Sequence, residues 1–189
     1  VVVTVNALPV VAAINGISTI CEGANAQLSN SATGGVWSSS NNSIIRIDGS
    51  GMIQGVAAGS ATISYTITGG CWGTVAAQKV VTVNALPVLA AISGANSICK
   101  NTTTTFTNTT SGGVWTSTNS SIATITNNGV ITAIADGSAV ITYTYTNNNS
   151  CASTITKTIT VAALPADPSS VTATPNTLLS GATTILSAI

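Results

Sequence analysis

Four cysteines are the most reactive side chains in this sequence, and they recur in two similar settings. Cys21 and Cys99 each follow an isoleucine and lie 78 residues apart, whereas Cys71 and Cys151 come about 50 residues after them. The surrounding chain is rich in Thr and Asn and poor in Lys. Recurrent cysteines in such a chain favour disulfides and an oxidising, extracellular setting.

Acid–base and nucleophilic catalysis require His, paired carboxylates or an activated nucleophile. The sequence contains no His and only four acids, which are scattered: Glu22, Asp48, Asp136 and Asp167. Calcium requires six to eight oxygen ligands with several carboxylates, and no such cluster is present. We therefore expect no enzyme activity, cofactor or metal site, and we interpret Asp48 and Asp136 as turn residues.

The composition excludes several classes of partner. Charged residues make up 4% of the 189 residues and the net charge is zero, whereas about 25% is usual. A basic field for nucleic acid or anionic lipid is therefore absent. No apolar run approaches the roughly 18 residues that a membrane helix needs, so we expect no membrane insertion.

An internal repeat organises the chain. Residues 34–67 return as residues 112–145 with 18 of 34 positions identical, and the flanking Leu-Pro pairs recur at the same offset of 78 residues. We predict the last strand of a preceding repeat at 1–7, repeat 1 at 8–85, repeat 2 at 86–163 and the start of a third unit at 164–189. The Leu-Pro linkers are short and apolar, which favours close contact between domains and a stiff rod.

Alternating β-branched residues interrupted by Gly, Asn and Ser every 8 to 12 residues predict an antiparallel β-sandwich in each repeat. In repeat 1 the pattern predicts strand A from Val10 to Ile20 and strand F from Ala61 to Ile67, with five further strands between and after them. The predicted core side chains are Leu28, Trp37, Ile47, Ile63, Tyr65, Phe106, Trp115, Ile125, Ile141 and Tyr143.

The stretch from Trp37 to Tyr65, W-S-S-S-N-x-S-I-x-x-I-x-x-x-G-x-I-x-G-V-A-A-G-S-A-T-I-x-Y, resembles the group 2 bacterial immunoglobulin-like domain of intimin- and invasin-like adhesins. The added I-C-x-G at Ile20 and G-C at Gly70 look like the variant in large Bacteroidota surface proteins, including gliding-motility adhesins exported by the type 9 secretion system. The resemblance implies tandem immunoglobulin-like sandwiches with a spacer or adhesive role, and no active-site residues to transfer.

The cysteine pairing has two main alternatives. In an immunoglobulin sandwich the A–B turn and the F–G loop lie at opposite poles, separated by strand G of about ten residues, hence roughly 33 Å. A disulfide needs Cα atoms within about 7 Å. A Cys21–Cys151 bond across the junction is therefore favoured over Cys21–Cys71 and Cys99–Cys151, with Cys71 reaching back to a preceding repeat and Cys99 forward to a following one.

Two other features have alternative interpretations. Trp72 follows Cys71 and is absent from repeat 2, so it either packs at the junction or stacks on a ligand such as a sugar. The Thr tracts at 102–105 and 154–160 are either soluble strand faces or flat ice-binding arrays, and the first is favoured.

We expect a non-enzymatic stalk or spacer of a large extracellular bacterial adhesin or filament, whose partners are the neighbouring repeats. Two alternatives are a module that binds a glycan or surface, and a self-assembling sheath, surface-layer or phage-fibre protein. Glycan binding that depends on Trp72 would favour the first of these, and concentration-dependent polymerisation the second.

Overall fold

The structure is a computed structural model and describes residues 10–69, 73–163, 171–174, 180 and 185–188. Every helix or strand among these residues is a β-strand, and the predicted all-β fold of tandem immunoglobulin-like sandwiches is confirmed. The predicted strand at 1–7 lies outside the described residues, as do Cys71, Trp72 and Asp167. The described part contains no helix long and apolar enough to cross a membrane.

Repeat 1 contains seven strands: β1 (Thr19–Cys21), β2 (Asn25–Gln27), β3 (Val36–Ser39), β4 (Ile45–Ile47), β5 (Met52–Gly55), β6 (Gly59–Gly69) and β7 (Gly73–Asn84). They form a four-stranded sheet in the order β1-β7-β6-β3 and a three-stranded sheet in the order β2-β5-β4. Strands β6 and β7 are the longest of these and pair antiparallel along their length. Their alternation of β-branched and polar residues suits a sheet with one buried face.

The strands of repeat 2 are β8 (Ser97–Cys99), β9 (Thr103–Thr105), β10 (Val114–Ser117), β11 (Ala123–Ile125), β12 (Val130–Ala133), β13 (Gly137–Thr146) and β14 (Ala152–Ala162). They have the same arrangement as in repeat 1, with sheet orders β10-β13-β14-β8 and β11-β12-β9. Beyond repeat 2, β15 (Val171–Thr174) pairs antiparallel with β16 (Ile185–Ala188).

The predicted continuous strand A from Val10 to Ile20 was wrong. Asn15 forms an isolated bridge with Ser29, and only β1 pairs regularly, parallel to β7. Between these two pairings the chain passes from one sheet to the other. Gly16 makes the passage possible with a φ of 121°, a conformation that other residues rarely adopt.

The core lies between the two sheets of each repeat. On β6 the inward side chains of Ala61, Ile63 and Tyr65 are buried, and Leu28 and Ile53 oppose them with no exposed surface. In repeat 2 the corresponding buried side chains are Ala139, Ile141, Tyr143, Phe106 and Ile131. Trp115 is also buried.

Three predicted core residues are only partly buried. Trp37 stays half-buried with its ring centroid 4.7 Å from that of Tyr65, and Ile47 and Ile125 are also half-buried. Ile47 and Ile125 are the last residues of β4 and β11, each of which forms an edge of its three-stranded sheet, so one side of each lacks a neighbouring strand.

The chain divides into two compact units whose boundary does not follow the repeat boundary. The first runs to Ala91 and also contains residues 108–114 and 143–155. The second contains residues 92–107, residues 115–142 and the chain from Thr156 onward. The β13–β14 turn of repeat 2 therefore belongs to the first unit.

Candidate functional site

Cys21 and Cys151 form a disulfide, with their Cα atoms 5.6 Å apart. Cys21 is the last residue of β1, where it lies opposite Asn84 at the end of β7. Cys151 lies in the turn between β13 and β14 and is 1% exposed. Both residues belong to the first compact unit. The bond joins two points that are 130 residues apart in the sequence.

The sheet register keeps Cys21 away from the β6–β7 turn of its own repeat. That turn opens from the Gly69–Gly73 pair, whereas Cys21 lies beside Asn84 at the far end of β7. The eleven residue steps from Gly73 to Asn84 span about 36 Å at roughly 3.3 Å per residue. This separation far exceeds the reach of a disulfide.

The same separation applies in repeat 2. Cys99 lies opposite Ala162 at the end of β14, whereas Cys151 immediately precedes the first residue of that strand. Cys99 has a free thiol and is exposed. The alternative pairing Cys99–Cys151 is therefore absent from the structure.

Asn147 shapes the turn that carries Cys151. Its side-chain oxygen accepts hydrogen bonds from the backbone N–H groups of Asn149 and Cys151, both at 3.0 Å. Its side-chain amide donates to the carbonyl of Ala85 at 3.2 Å, just beyond β7. Ser150 completes the turn with a φ of 61°. One side chain thus both closes the turn and holds it against the end of β7.

Sequence reasoning did not identify Asn147 or Ser150. The run Asn147-Asn148-Asn149-Ser150 between two strands is a turn signal, because Asn tolerates positive φ and bonds its own backbone. That signal predicts a turn but not the bond to Ala85, which depends on tertiary placement.

A cleft of about 370 Å³ lies beside the disulfide. Its walls contain hydroxyl, amide and aliphatic groups but no acid or base, so it offers no proton-transfer chemistry. The lining residues are Ile17, Thr19, Ile20, Cys21, Asn84, Asn149 and Ser150.

A second cleft, of about 290 Å³, lies on the three-stranded sheet of repeat 1, and its polar lining includes Asn25, Arg46 and Gln54. Asp48 also lines it, and its side-chain oxygen accepts hydrogen bonds from the Ser50 hydroxyl at 2.7 Å and the Met52 N–H at 3.0 Å. These bonds, the Ser50 hydroxyl first, lower the pKa of Asp48 because they stabilise its charged form.

The three acids within the described residues do not converge. Among the described residues, no group of three or more His, Cys, Asp or Glu side chains is placed to hold a metal ion. Glu22 follows the disulfide, and its N–H donates to the carbonyl of Asn84 at 3.0 Å. Asp136 is exposed before β13.

Several solved structures resemble this chain. Domains 4 and 5 of the S-layer protein SbsC are 18% identical, with a TM-score of 0.36, over 80% of this chain and 98% of that one. The chain spans 24% of a longer SbsC fragment, domains 1–6. The C-terminal 282-residue fragment of intimin, solved with the intimin-binding domain of the translocated intimin receptor, is 11% identical, with a TM-score of 0.40, over 81% of this chain and 64% of that one.

A search of curated proteins gave no match. The bacterial Ig-like domain (group 2) family matches residues 22–71 and again residues 79–155. The first segment lies within repeat 1, and the second begins at residue 79 in β7 and runs through most of repeat 2. Together they cover more than half of the chain. The protein therefore belongs to the bacterial Ig-like domain (group 2) family.

Proposed function

We propose that these repeats form a non-enzymatic structural spacer in an extracellular bacterial surface protein. The observation that supports this proposal is the Cys21–Cys151 disulfide, which bridges 130 residues. The acids and polar clefts supply no alternative chemistry, because the described residues of the two clefts include one carboxylate, Asp48, with no second acid or His beside it and no metal-binding cluster.

The disulfide would limit how far a pulled chain can extend. A force applied at the two ends of the chain passes through the bond, so the enclosed segment carries no tension. If those 130 residues were free to extend they would add about 430 Å at roughly 3.3 Å per residue. A tether that must hold its length under load benefits from this disulfide, because the bond carries the force in place of the enclosed segment.

The proposed location is the bacterial cell surface. Disulfides persist in oxidising compartments, and a chain with only 4% charged residues depends on Thr, Ser and Asn for its hydration. At a finer level, the I-C-x-G and G-C features support a place among large Bacteroidota adhesins exported by the type 9 secretion system, with a role in gliding or in a surface filament.

Single-molecule extension of the full chain, held by its two ends, tests the mechanical proposal. We expect the fully reduced chain to extend about 430 Å further than the oxidised chain, at roughly 3.3 Å per residue over the 130 residues. Cys21→Ser should reach the reduced length without reductant, whereas Cys99→Ser should behave as the unmodified chain. Equal lengths in both redox states would overturn the mechanical role.

A glycan array probed with the full chain tests the main competing class. Specific and saturable binding to one sugar class would assign a recognition function to these repeats instead of a spacer function. We expect no such binding.

A further inference from the structure

The two cysteines of the disulfide differ in their exposure to solvent. Cys151 is 1% exposed and does not line the adjacent cleft, whereas Cys21 is half-buried and forms part of the cleft wall. Thiol–disulfide exchange requires a thiolate to reach one of the two sulfur atoms, so access decides which sulfur is attacked. The fold therefore presents the Cys21 side of the bond to solutes and covers the Cys151 side.

The cleft beside Cys21 has a size and a lining that suit a small solute. Its volume of about 370 Å³ falls within the range of roughly 300 to 1,000 Å³ that is typical of small-molecule sites. The residues that line it carry hydroxyl, amide, sulfur and aliphatic groups and no charged side chain. Ile17 is 42% exposed and offers an apolar contact to the methylene groups of a thiol. A thiol that approaches Cys21 through the cleft thus meets neutral walls.

The surroundings of the Cys151 sulfur oppose the departure of a thiolate from that position. Its Sγ lies 3.7 Å from the carbonyl oxygen of Asn149 and 3.9 Å from that of Asn84. Carbonyl oxygens accept a hydrogen bond from a neutral thiol but repel a thiolate, because both carry negative charge. The leaving group is therefore poor when Cys21 is attacked, which makes the bond slow to open. Access still selects Cys21, because a sulfur atom as covered as that of Cys151 cannot be approached in line with the bond.

We propose that the cleft is an entry site for small thiols, at which an external thiolate attacks the sulfur of Cys21 and forms a mixed disulfide there. In the opposite direction, a disulfide oxidant reacts first with Cys21, and the covered Cys151 then closes the bond. The inference deepens the proposed spacer function, and its consequence for chain length rests on that function. The length to which the chain can be pulled would respond to surrounding thiols through this one sulfur atom.

The reaction balances with two equivalents of a thiol such as glutathione. The first thiolate attacks the Cys21 sulfur, the bond to Cys151 breaks, and the Cys151 sulfur leaves with the electron pair and takes up a proton. A second thiolate attacks the glutathione sulfur of the mixed disulfide and releases the Cys21 thiolate, which is protonated in turn. Two thiols are oxidised to one disulfide while the protein disulfide is reduced to two thiols.

The test maps mixed disulfides on the folded, oxidised full chain. Free thiols are blocked with N-ethylmaleimide, glutathione is added, and the reaction is stopped early with isotope-labelled N-ethylmaleimide before peptide mapping. We expect glutathione on Cys21 and labelled maleimide on Cys151, favoured about tenfold or more over the opposite arrangement because Cys151 is covered. Incubation in urea should remove the preference. Equal or inverted labelling in the folded chain would overturn the proposal.

A variant that fills the cleft tests the route of access. Thr19→Trp adds a large ring to the cleft wall at a strand position that tolerates aromatic side chains. Ser97→Trp is the matched control, because the exposed Ser97 begins β8 as Thr19 begins β1. We expect Thr19→Trp to slow reduction by glutathione about tenfold, since it blocks access, and Ser97→Trp to leave the rate unchanged. Equal rates in the two variants, or a folded chain that glutathione does not reduce, would contradict the entry site. The mapping uses the unmodified chain, so it decides the question even where Thr19→Trp disturbs the fold.

The extension measurement separates this inference from the spacer function. It compares fully oxidised with fully reduced chain, and its outcome does not depend on which sulfur is attacked first. Unselective labelling together with a longer reduced chain would overturn only the entry site. Selective labelling of Cys21 together with equal lengths in both redox states would overturn only the spacer function.

Discussion

Repeat 1 and repeat 2 differ on the outer face of their three-stranded sheets. In repeat 1 the neighbouring positions across β2, β5 and β4 are Asn25, Gln54 and Arg46. In repeat 2 the same row consists entirely of threonines: Thr103, Thr132 and Thr124. One repeat thus presents long polar side chains and a charge, whereas the other presents a row of hydroxyl groups at the equivalent positions.

The two repeats agree at a buried tyrosine whose hydroxyl satisfies the backbone. The Tyr65 hydroxyl donates to the carbonyl of Ala32 at 2.8 Å and accepts from the Gly35 N–H at 2.9 Å. Tyr143 does the same with Thr110 and Gly113. Buried polar groups are costly without partners, so this pair of bonds restricts the position to tyrosine. The outer sheet face carries no such restriction.

The cysteines give the sharpest version of this comparison, because Cys21 and Cys99 hold equivalent positions but only Cys21 is bonded. In a monomer, Cys21→Ser should lower the free energy of unfolding by about 3 to 5 kcal/mol, since a bond closing a loop of this length removes much unfolded-state entropy. Cys99→Ser should change it by less than about 0.5 kcal/mol, as at other exposed sites.

Urea unfolding of the oxidised proteins measures both values. Reduced unmodified chain serves as the control and should match Cys21→Ser. An equal loss in the two variants would mean that the free thiol of Cys99 also supports the fold, which contradicts the assignment of the disulfide as the difference between the repeats.

Two equivalent glycines extend the comparison with a smaller expected effect: Gly16, where strand A of repeat 1 crosses between sheets, and Gly94 at the same position of repeat 2. A Cβ at Gly16 would lie 2.6 Å from the Leu28 Cδ2 and 2.8 Å from the Gln27 carbonyl oxygen. At Gly94 it would meet the ring of Phe106. Gly16→Ala and Gly94→Ala should each lower the free energy of unfolding by about 2 to 3 kcal/mol, because of backbone strain and overpacking. Gly94→Ala should cost more, because a ring deflects less easily than a leucine methyl.

Gly23→Ala is the matched control, because Gly23 has a φ of 79° with no atom within 4 Å of an added Cβ. Gly23→Ala should lower the free energy of unfolding by about 1 kcal/mol, from backbone strain alone. Thermal unfolding followed by circular dichroism compares the stability of the three variants. Equal costs at all three glycines would show that packing against Leu28 and Phe106 is unimportant.

The sequence predicted the elements whose signal is local. The alternation at Ala61, Ile63 and Tyr65 indicated the buried face of β6, and the register of β6 with β7 follows from it. The broken strand A was not predicted, because β-branched residues lie on both sides of Asn15-Gly16 and the segment was interpreted as one strand. The Asn-Gly pair is a turn signal that marks the break, but the pairing of the two halves with different sheets is visible only in the structure.

The geometry around the disulfide was harder to predict from the sequence, because it also depends on contacts between distant residues. The separation of Cys21 from the β6–β7 turn follows from strand length, which the sequence indicates. The contact between Asn147 and Ala85 joins residues 62 positions apart, and no local pattern at either residue indicates it. Long-range polar contacts depend on the assembled fold, so they become visible only in the structure.

The β4–β5 turn gives the smallest and most specific comparison between the repeats. Asp48 occupies it in repeat 1 and accepts three hydrogen bonds, from the Ser50 N–H, the Ser50 hydroxyl and the Met52 N–H. In repeat 2 the equivalent Thr126 hydroxyl accepts from the Val130 N–H at 3.2 Å. Asp48→Thr therefore gives repeat 1 the turn residue of repeat 2.

The effect of Asp48→Thr should depend on pH. The hydrogen bonds lower the pKa of Asp48 in the folded state, so its stabilising contribution is fully present above the unfolded-state pKa of about 3.9. It is lost as the pH falls through the lower folded-state pKa, because the protonated carboxyl binds these donors less well. The urea midpoint of the unmodified chain should therefore exceed that of the variant at pH 7, and the gap should close in strong acid. Asp136→Asn, which removes an exposed acid elsewhere, is the control. A gap that persists unchanged in acid would show that turn geometry, and not the charge of Asp48, distinguishes the two turns.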